Sequence, residues 1–101
     1  DRLAREGMRF TQAYAGGAVC APSRASLMTG LHTGHAPIRA NAGTIPLLPE
    51  ETILPMLLQK EGYATGGFGK WSMGDAFSTG APHKKGMDKF FGYLHQTHAH
   101  N

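Results

Sequence analysis

The chemistry in this chain gathers around its one cysteine. Cys20 stands in the run Ala18-Val19-Cys20-Ala21-Pro22-Ser23-Arg24-Ala25-Ser26-Leu27-Met28-Thr29-Gly30, just ahead of a helix expected over residues 22–29. Open backbone N–H groups at a helix N-terminus favour an anion and lower the pKa of a nearby thiol. Arg24 falls within the first turn or so, beside the same spot. A thiol, helix-end amides and a guanidinium then converge, a combination that suits a tetrahedral oxyanion such as phosphate or sulfate. Each residue alone also has a plainer reading: a lone cysteine fits a buried small hydrophobe, and Arg24 fits a solvated helix face. A single cysteine excludes an internal disulfide and a Cys-rich zinc site.

These residues need elements to hold them. Residues 1–6 read as a helix end closed by Gly7. Met8 to Ala15 alternates in type, which predicts a strand, and Gly16-Gly17 breaks it. Pro22 is tolerated in the first turn of the next helix, and Gly30 closes it. Glycines and prolines mark residues 30–50 as loop. A second helix is expected from Thr52, its N-cap, to Glu61, with Pro55 in the first turn and Gly62 as the stop. Tyr63 to Lys70 reads as a buried strand, 74–89 as loop, and Phe90 to Leu94 as a short apolar piece. Alternating helix and strand predicts α/β architecture. Two strands make no independent core, so the sheet is expected to be incomplete.

Composition limits the function. Of 101 residues 41% are hydrophobic and 17% charged, and mean hydropathy is −0.30. One globular unit is the most this length supports, and no apolar run spans a membrane. Ten Lys+Arg against seven Asp+Glu give +3. The basic residues neither cluster nor interleave with aromatics, so a nucleic-acid partner is not expected. The chain opens inside a helix, without an initiator Met or signal peptide, and is expected to be an excerpt of a larger protein.

Cys-x-Pro-Ser-Arg followed by Leu-Met-Thr-Gly resembles the signature of type I sulfatases. Gly62-Tyr63-Ala64-Thr65-Gly66-Gly67-Phe68-Gly69-Lys70-Trp71 resembles the second signature of that family. The opening Asp1 to Tyr14 and the later Gly86 to Tyr93 are also family-like, so the resemblance covers nearly the whole chain. It implies a partial alkaline-phosphatase-like fold, a mixed, mostly parallel sheet flanked by helices, with residues 1–101 a fragment of the N-terminal catalytic domain and no complete second domain. It implies that a formylglycine-generating enzyme reads Cys20, Pro22 and Arg24 in the unfolded chain and oxidises Cys20 to formylglycine (3-oxoalanine).

The activity implied is hydrolysis of a sulfated small molecule or carbohydrate, a sugar or aryl sulfate. One hydroxyl of the hydrated aldehyde attacks sulfur and the alcohol leaves; the second then loses its proton, the C–O bond to sulfate breaks, and the aldehyde returns. Arg24 would hold the diol, Lys70 would contact both diol and sulfate, and residue 20 would be one ligand of a calcium ion. Asp1, Asp75 and Asp88 do not fit the family's metal motif, so the other ligands are expected outside these residues, and the piece alone is expected to be inactive and marginal as a fold. Trp71 is expected to fix Lys70 by packing. A periplasmic or extracellular location is implied.

One position departs from the pattern. Gly-Lys-Trp is usually followed by histidine, thought to accept a proton during sulfate release, and here the residue is Ser72. A serine hydroxyl at neutral pH is no such base. Another base is then in use, or the enzyme is slow, or it is inactive. Phosphonate or phosphate ester hydrolysis within the same superfamily and a non-catalytic anion-binding pseudoenzyme are the alternatives. His98 and His100 offer two imidazoles but lack the further ligands of a zinc site, so lining a substrate entrance or plain exposure is expected of them. His32 and His35 lie in the loop after the signature helix.

Overall fold

The computed structural model describes residues 1–41, 45–95 and 97–100. Part of the expected 30–50 loop, together with Gln96 and Asn101, therefore lies outside the described residues. Helices α1 (Arg2–Glu6), α2 (Cys20–Thr29) and α3 (Leu54–Lys60) precede β1 (Gly66–Lys70), a short 3-10 helix (Pro82–Lys85), β2 (Lys89–Tyr93) and a last 3-10 turn (Thr97–Ala99). The strands run parallel, with Gly66 opposite Lys89 and Lys70 opposite Tyr93. The α/β class is as expected and the sheet has two strands, but three helices precede both strands, so helix and strand do not alternate as the sequence suggests.

Boundaries moved where backbone partners decided them. Helix α2 begins at Cys20 itself, with Val19 as its N-cap and no side-chain cap bond. The cap comes from afar: Asn41 Oδ1 accepts the Ala21 N–H at 2.9 Å. Gly30 closes α2 with φ 73°, the left-handed turn expected of it. Helix α3 starts after Ile53 rather than at Thr52, and Ile53 has no side-chain cap bond either. Ile53 turns fully into the core instead, so burial outweighs the hydroxyl cap there.

The strand expected over residues 8–15 does not form, and all of these residues are exposed. Alternation in residue type makes a strand only where a neighbour takes its N–H and C=O groups. The strand read over 63–70 shortens to β1, and it is not buried: Phe68 and, on β2, Phe91 stand 80% and 79% exposed. Among the described residues nothing covers that face. The register also explains a glycine pair. Gly69 faces Gly92, and a Cβ on Gly92 (φ 153°) would overlap the Gly69 carbonyl.

The core gathers Ala21 and Ala25 of α2 with Ile38, Leu47, Ile53, Trp71, Met73 and Met87. Trp71 is buried, as expected of a residue that fixes its neighbour Lys70. Its indole N–H donates to the Gly80 carbonyl at 2.8 Å, and its ring meets Phe90 edge-on. The Trp71 and Ser72 N–H groups donate to Tyr93 and Leu94 carbonyls, so pairing continues past both strand ends.

Two charged residues act as ties. Asp88 accepts from the Thr65 N–H at 2.8 Å and from Gln59 Nε2 at 2.7 Å, joining the end of α3 to both strands. The Thr65 backbone and hydroxyl bonds, then Gln59, hold the Asp88 carboxyl below its ordinary range. Its contribution is therefore complete above the unfolded carboxylate value of about 4 and is lost as pH falls through the lower folded value. Lys85 is 1% exposed. Its ammonium donates to the Leu48 and Glu51 carbonyls at 2.5 and 2.7 Å. Burial pushes its pKa down, against the charges of Glu51 and Glu50. Replacing it leaves buried carbonyls without a donor. Lys85→Met is expected to cost roughly 2–4 kcal/mol, seen as a lower melting temperature of the full-length protein; an unchanged melting temperature would contradict this role.

Candidate active site

The three residues picked out by sequence meet at one end of the sheet. Lys70 is the last residue of β1, and Cys20 is the first of α2. Lys70 Nζ donates to Cys20 Sγ at 3.4 Å, across fifty positions of sequence. Arg24 lies one helical turn beyond Cys20. Its Nη1 is buried without a hydrogen-bond partner. A shallow cleft lined by Ala15, Gly17, Val19, Cys20, Ser23 and Arg24 opens the thiol to solvent. A roomier hollow lies against β2, between Pro82, Met87, Phe90 and Tyr93. Its walls are mainly apolar, whereas the thiol and the Arg24 guanidinium line the shallow cleft, and Lys70 reaches that thiol from the end of β1.

The electrostatics follow from the neighbours. The Arg24 guanidinium beside it first, then the Lys70 ammonium and Asn41, lower the Cys20 pKa, and partial burial opposes them. Positive groups favour the thiolate over the thiol. The same groups would favour any oxyanion in its place. Sequence reading placed Cys20 just ahead of α2, whereas it is the first helical residue. That seat turns its side chain toward the sheet end that carries Lys70.

Two neighbours carry no local motif. Asn41 caps α2 and also bears on the thiol. His100 was expected to be exposed or to line an entrance. It is exposed, yet its Nε2 also sits 3.2 Å from Lys70 Nζ. His95, His98, His32 and His35 make no hydrogen bond to Cys20, Arg24 or Lys70 among the described residues. Ser72 has φ 61°, uncommon for a residue with a side chain, and its buried Oγ has no hydrogen-bond partner. It therefore donates to neither Lys70 nor Cys20.

An oxygen-bearing residue 20 fits: Arg24 Nη1 is an unused buried donor, and Lys70 already reaches the position. Calcium does not fit these residues alone, because no three His, Cys, Asp or Glu side chains gather around a common point among the described residues. Among the described residues no helix is long and apolar enough to cross a membrane.

In the unconverted full-length protein, Cys20 is expected to react with iodoacetamide at lower pH than an ordinary thiol. Lys70→Met should move the midpoint of that pH profile upward. A midpoint unmoved by Lys70→Met would show that the ammonium does not act on residue 20.

Comparison with known proteins accounts for this arrangement. The family model described as Sulfatase matches residues 1–100. Human arylsulfatase D is 38% identical over 106 residues, and human arylsulfatase G 43% over 97; each comparison covers 91% of this chain and 18% of the relative. Mouse steryl-sulfatase is 35% identical over 108 residues, covering 91% of this chain and 17% of that protein. The chain thus spans less than a fifth of the length of these relatives. The crystal structure of Ps i-CgsB in complex with k-i-k-neocarrahexaose superimposes with a TM-score of 0.72 and 31% identity, over 85% of this chain and 20% of that one. The architecture is accordingly part of an alkaline-phosphatase-like α/β fold, and the chain belongs to the sulfatase family.

Proposed function

We propose that the protein hydrolyses sulfate esters, with Cys20 converted to formylglycine and with Arg24 and Lys70 holding the anion. One observation carries this reading: two cations from separate elements act on residue 20, and one buried guanidinium nitrogen has no hydrogen-bond partner among the described residues. The converted residue, as a hydrated aldehyde, supplies the nucleophilic oxygen. In the structure Cys20 Sγ stands in for that oxygen.

The chain's own residues do the rest. Lys70, fixed by the buried Trp71 and by strand pairing, places an ammonium where negative charge grows. Arg24 offers a planar fork that matches a tetrahedral oxyanion. Each cation is held before substrate arrives, so little reorganisation opposes the reaction. Ser72 contributes no base, since its hydroxyl is buried away from both. A divalent metal, calcium in this reading, would be completed by residues beyond these. A sugar or aryl sulfate is the substrate class, and the oligosaccharide in the Ps i-CgsB complex favours trying carbohydrates first. A formylglycine-generating enzyme is the maturation partner, and a periplasmic or extracellular location goes with the family reading.

Mass spectrometry of the Cys20 peptide, after co-expression of the full-length protein with that modifying enzyme, is expected to show a loss of about 18 Da. The converted protein should cleave para-nitrophenyl sulfate or a sulfated oligosaccharide, and Lys70→Met should cut the rate by about a hundredfold or more. Faster cleavage of the matched phosphate ester would make it a phosphate ester hydrolase. Binding of sulfate without turnover would make it a pseudoenzyme. Ser72→His is expected to change turnover by no more than about tenfold; a much larger gain would show that serine disables the site.

A further inference from the structure

We propose that His100 is a positioning residue for Lys70: its Nε2 accepts one N–H of the ammonium and holds Nζ over residue 20. The proposal rests on the sulfate-ester reading only for its kinetic consequence.

The geometry is specific. An ammonium has three donors and no acceptor. Among the described residues the hydrogen-bond partners of Lys70 Nζ are Cys20 Sγ at 3.4 Å and His100 Nε2 at 3.2 Å. Two donors are thus committed to fixed protein atoms, and the third is left for an anion. A lysine side chain alone has four rotatable bonds and much rotamer freedom. A second anchor removes part of that freedom before substrate binds, which is the benefit of preorganisation.

His100 can serve as that anchor because its own backbone is tied. The Thr97 N–H donates to His95 Nδ1 at 3.1 Å, and the His100 N–H donates to the Thr97 carbonyl at 3.1 Å. This turn lies a few residues past β2, whose last residue and its successor, Tyr93 and Leu94, accept the Trp71 and Ser72 N–H groups beyond Lys70. Lysine and imidazole therefore arrive from adjacent strand ends. To accept from an ammonium, Nε2 must be unprotonated, so neutral His100 carries its proton on Nδ1. Ser72, two residues from the lysine, cannot do this work, because its hydroxyl is turned into the interior without a partner.

The first test needs no turnover. Heteronuclear NMR of histidine-labelled, unconverted full-length protein should show one imidazole in the Nδ1–H tautomer, assigned by its loss in His100→Gln. Lys70→Met should return that imidazole to the Nε2–H tautomer usual in solution. A His100 signal unmoved by Lys70→Met overturns the proposal.

The second test is a double-mutant cycle on the converted enzyme. His100→Leu should lower kcat/KM for para-nitrophenyl sulfate about 10- to 100-fold, while His100→Gln, which keeps an acceptor, should stay within about fivefold of the parent. In the Lys70→Met background His100→Leu should change the rate by less than about twofold, because the pair acts as a unit. Additive losses overturn the proposal. A tautomer that responds to Lys70→Met in a protein that cleaves no sulfate ester upholds the anchor and removes the sulfatase reading instead.

Discussion

The site depends on one contact, the approach of the Lys70 ammonium to Cys20 Sγ. It joins the first residue of α2 to the last residue of β1, and neither element can shift without opening it. Buried Ala21 and Ala25 seat α2 in the core, and buried Trp71 and Met73 seat the chain just past β1. The two cations would repel each other if nothing anionic lay between them. A thiolate, or an oxyanion in its place, relieves that repulsion, so the core spends packing energy to hold a charge arrangement that needs a negative occupant.

The parallel register extends that control to a second strand. Lys70 pairs with Tyr93, and N–H donation to the Tyr93 and Leu94 carbonyls carries the pairing beyond both strand ends. Whatever follows β2 is therefore delivered beside the lysine. Close approach of the strands leaves no room for a side chain on Gly92, whose Cβ would overlap the Gly69 carbonyl. The Asp88 and Lys85 ties secure the opposite end of β1 and the segment ahead of α3. In open α/β sheets, sites form outside the carboxyl ends of strands, and this one does so with loops and helix ends anchored on both sides.

Much of the site was legible because its signals are local. Cys20 and Arg24 share one helix turn, Gly30 marks the helix end by its left-handed backbone, and Trp71 next to Lys70 reads as packing. Non-local partners were not legible. Asn41 caps α2 from twenty positions away, and no residue type announces that. His-Ala-His invited a metal reading, yet His100 meets a cation. Residues 8–15 alternate like a strand, but pairing, not alternation, makes a strand. Residues 63–70 promised burial, yet their apolar side chains face outward, because a strand's burial depends on what lies over the sheet. At Thr52 a good capping residue lost to the burial of Ile53, which local propensity cannot foresee.

The long reach of the Lys70 contact and of the Asn41 cap sets an order in time. A chain emerging from the ribosome releases its early residues first. The Cys20–Arg24 stretch therefore leaves the exit tunnel before the lysine and the imidazole that later flank it have been synthesised. During that interval the thiol lacks its ammonium neighbour; afterwards it lies in an open cleft with the ammonium held against it. The spacing of these partners along the sequence thus sets when the thiol acquires its charged neighbours.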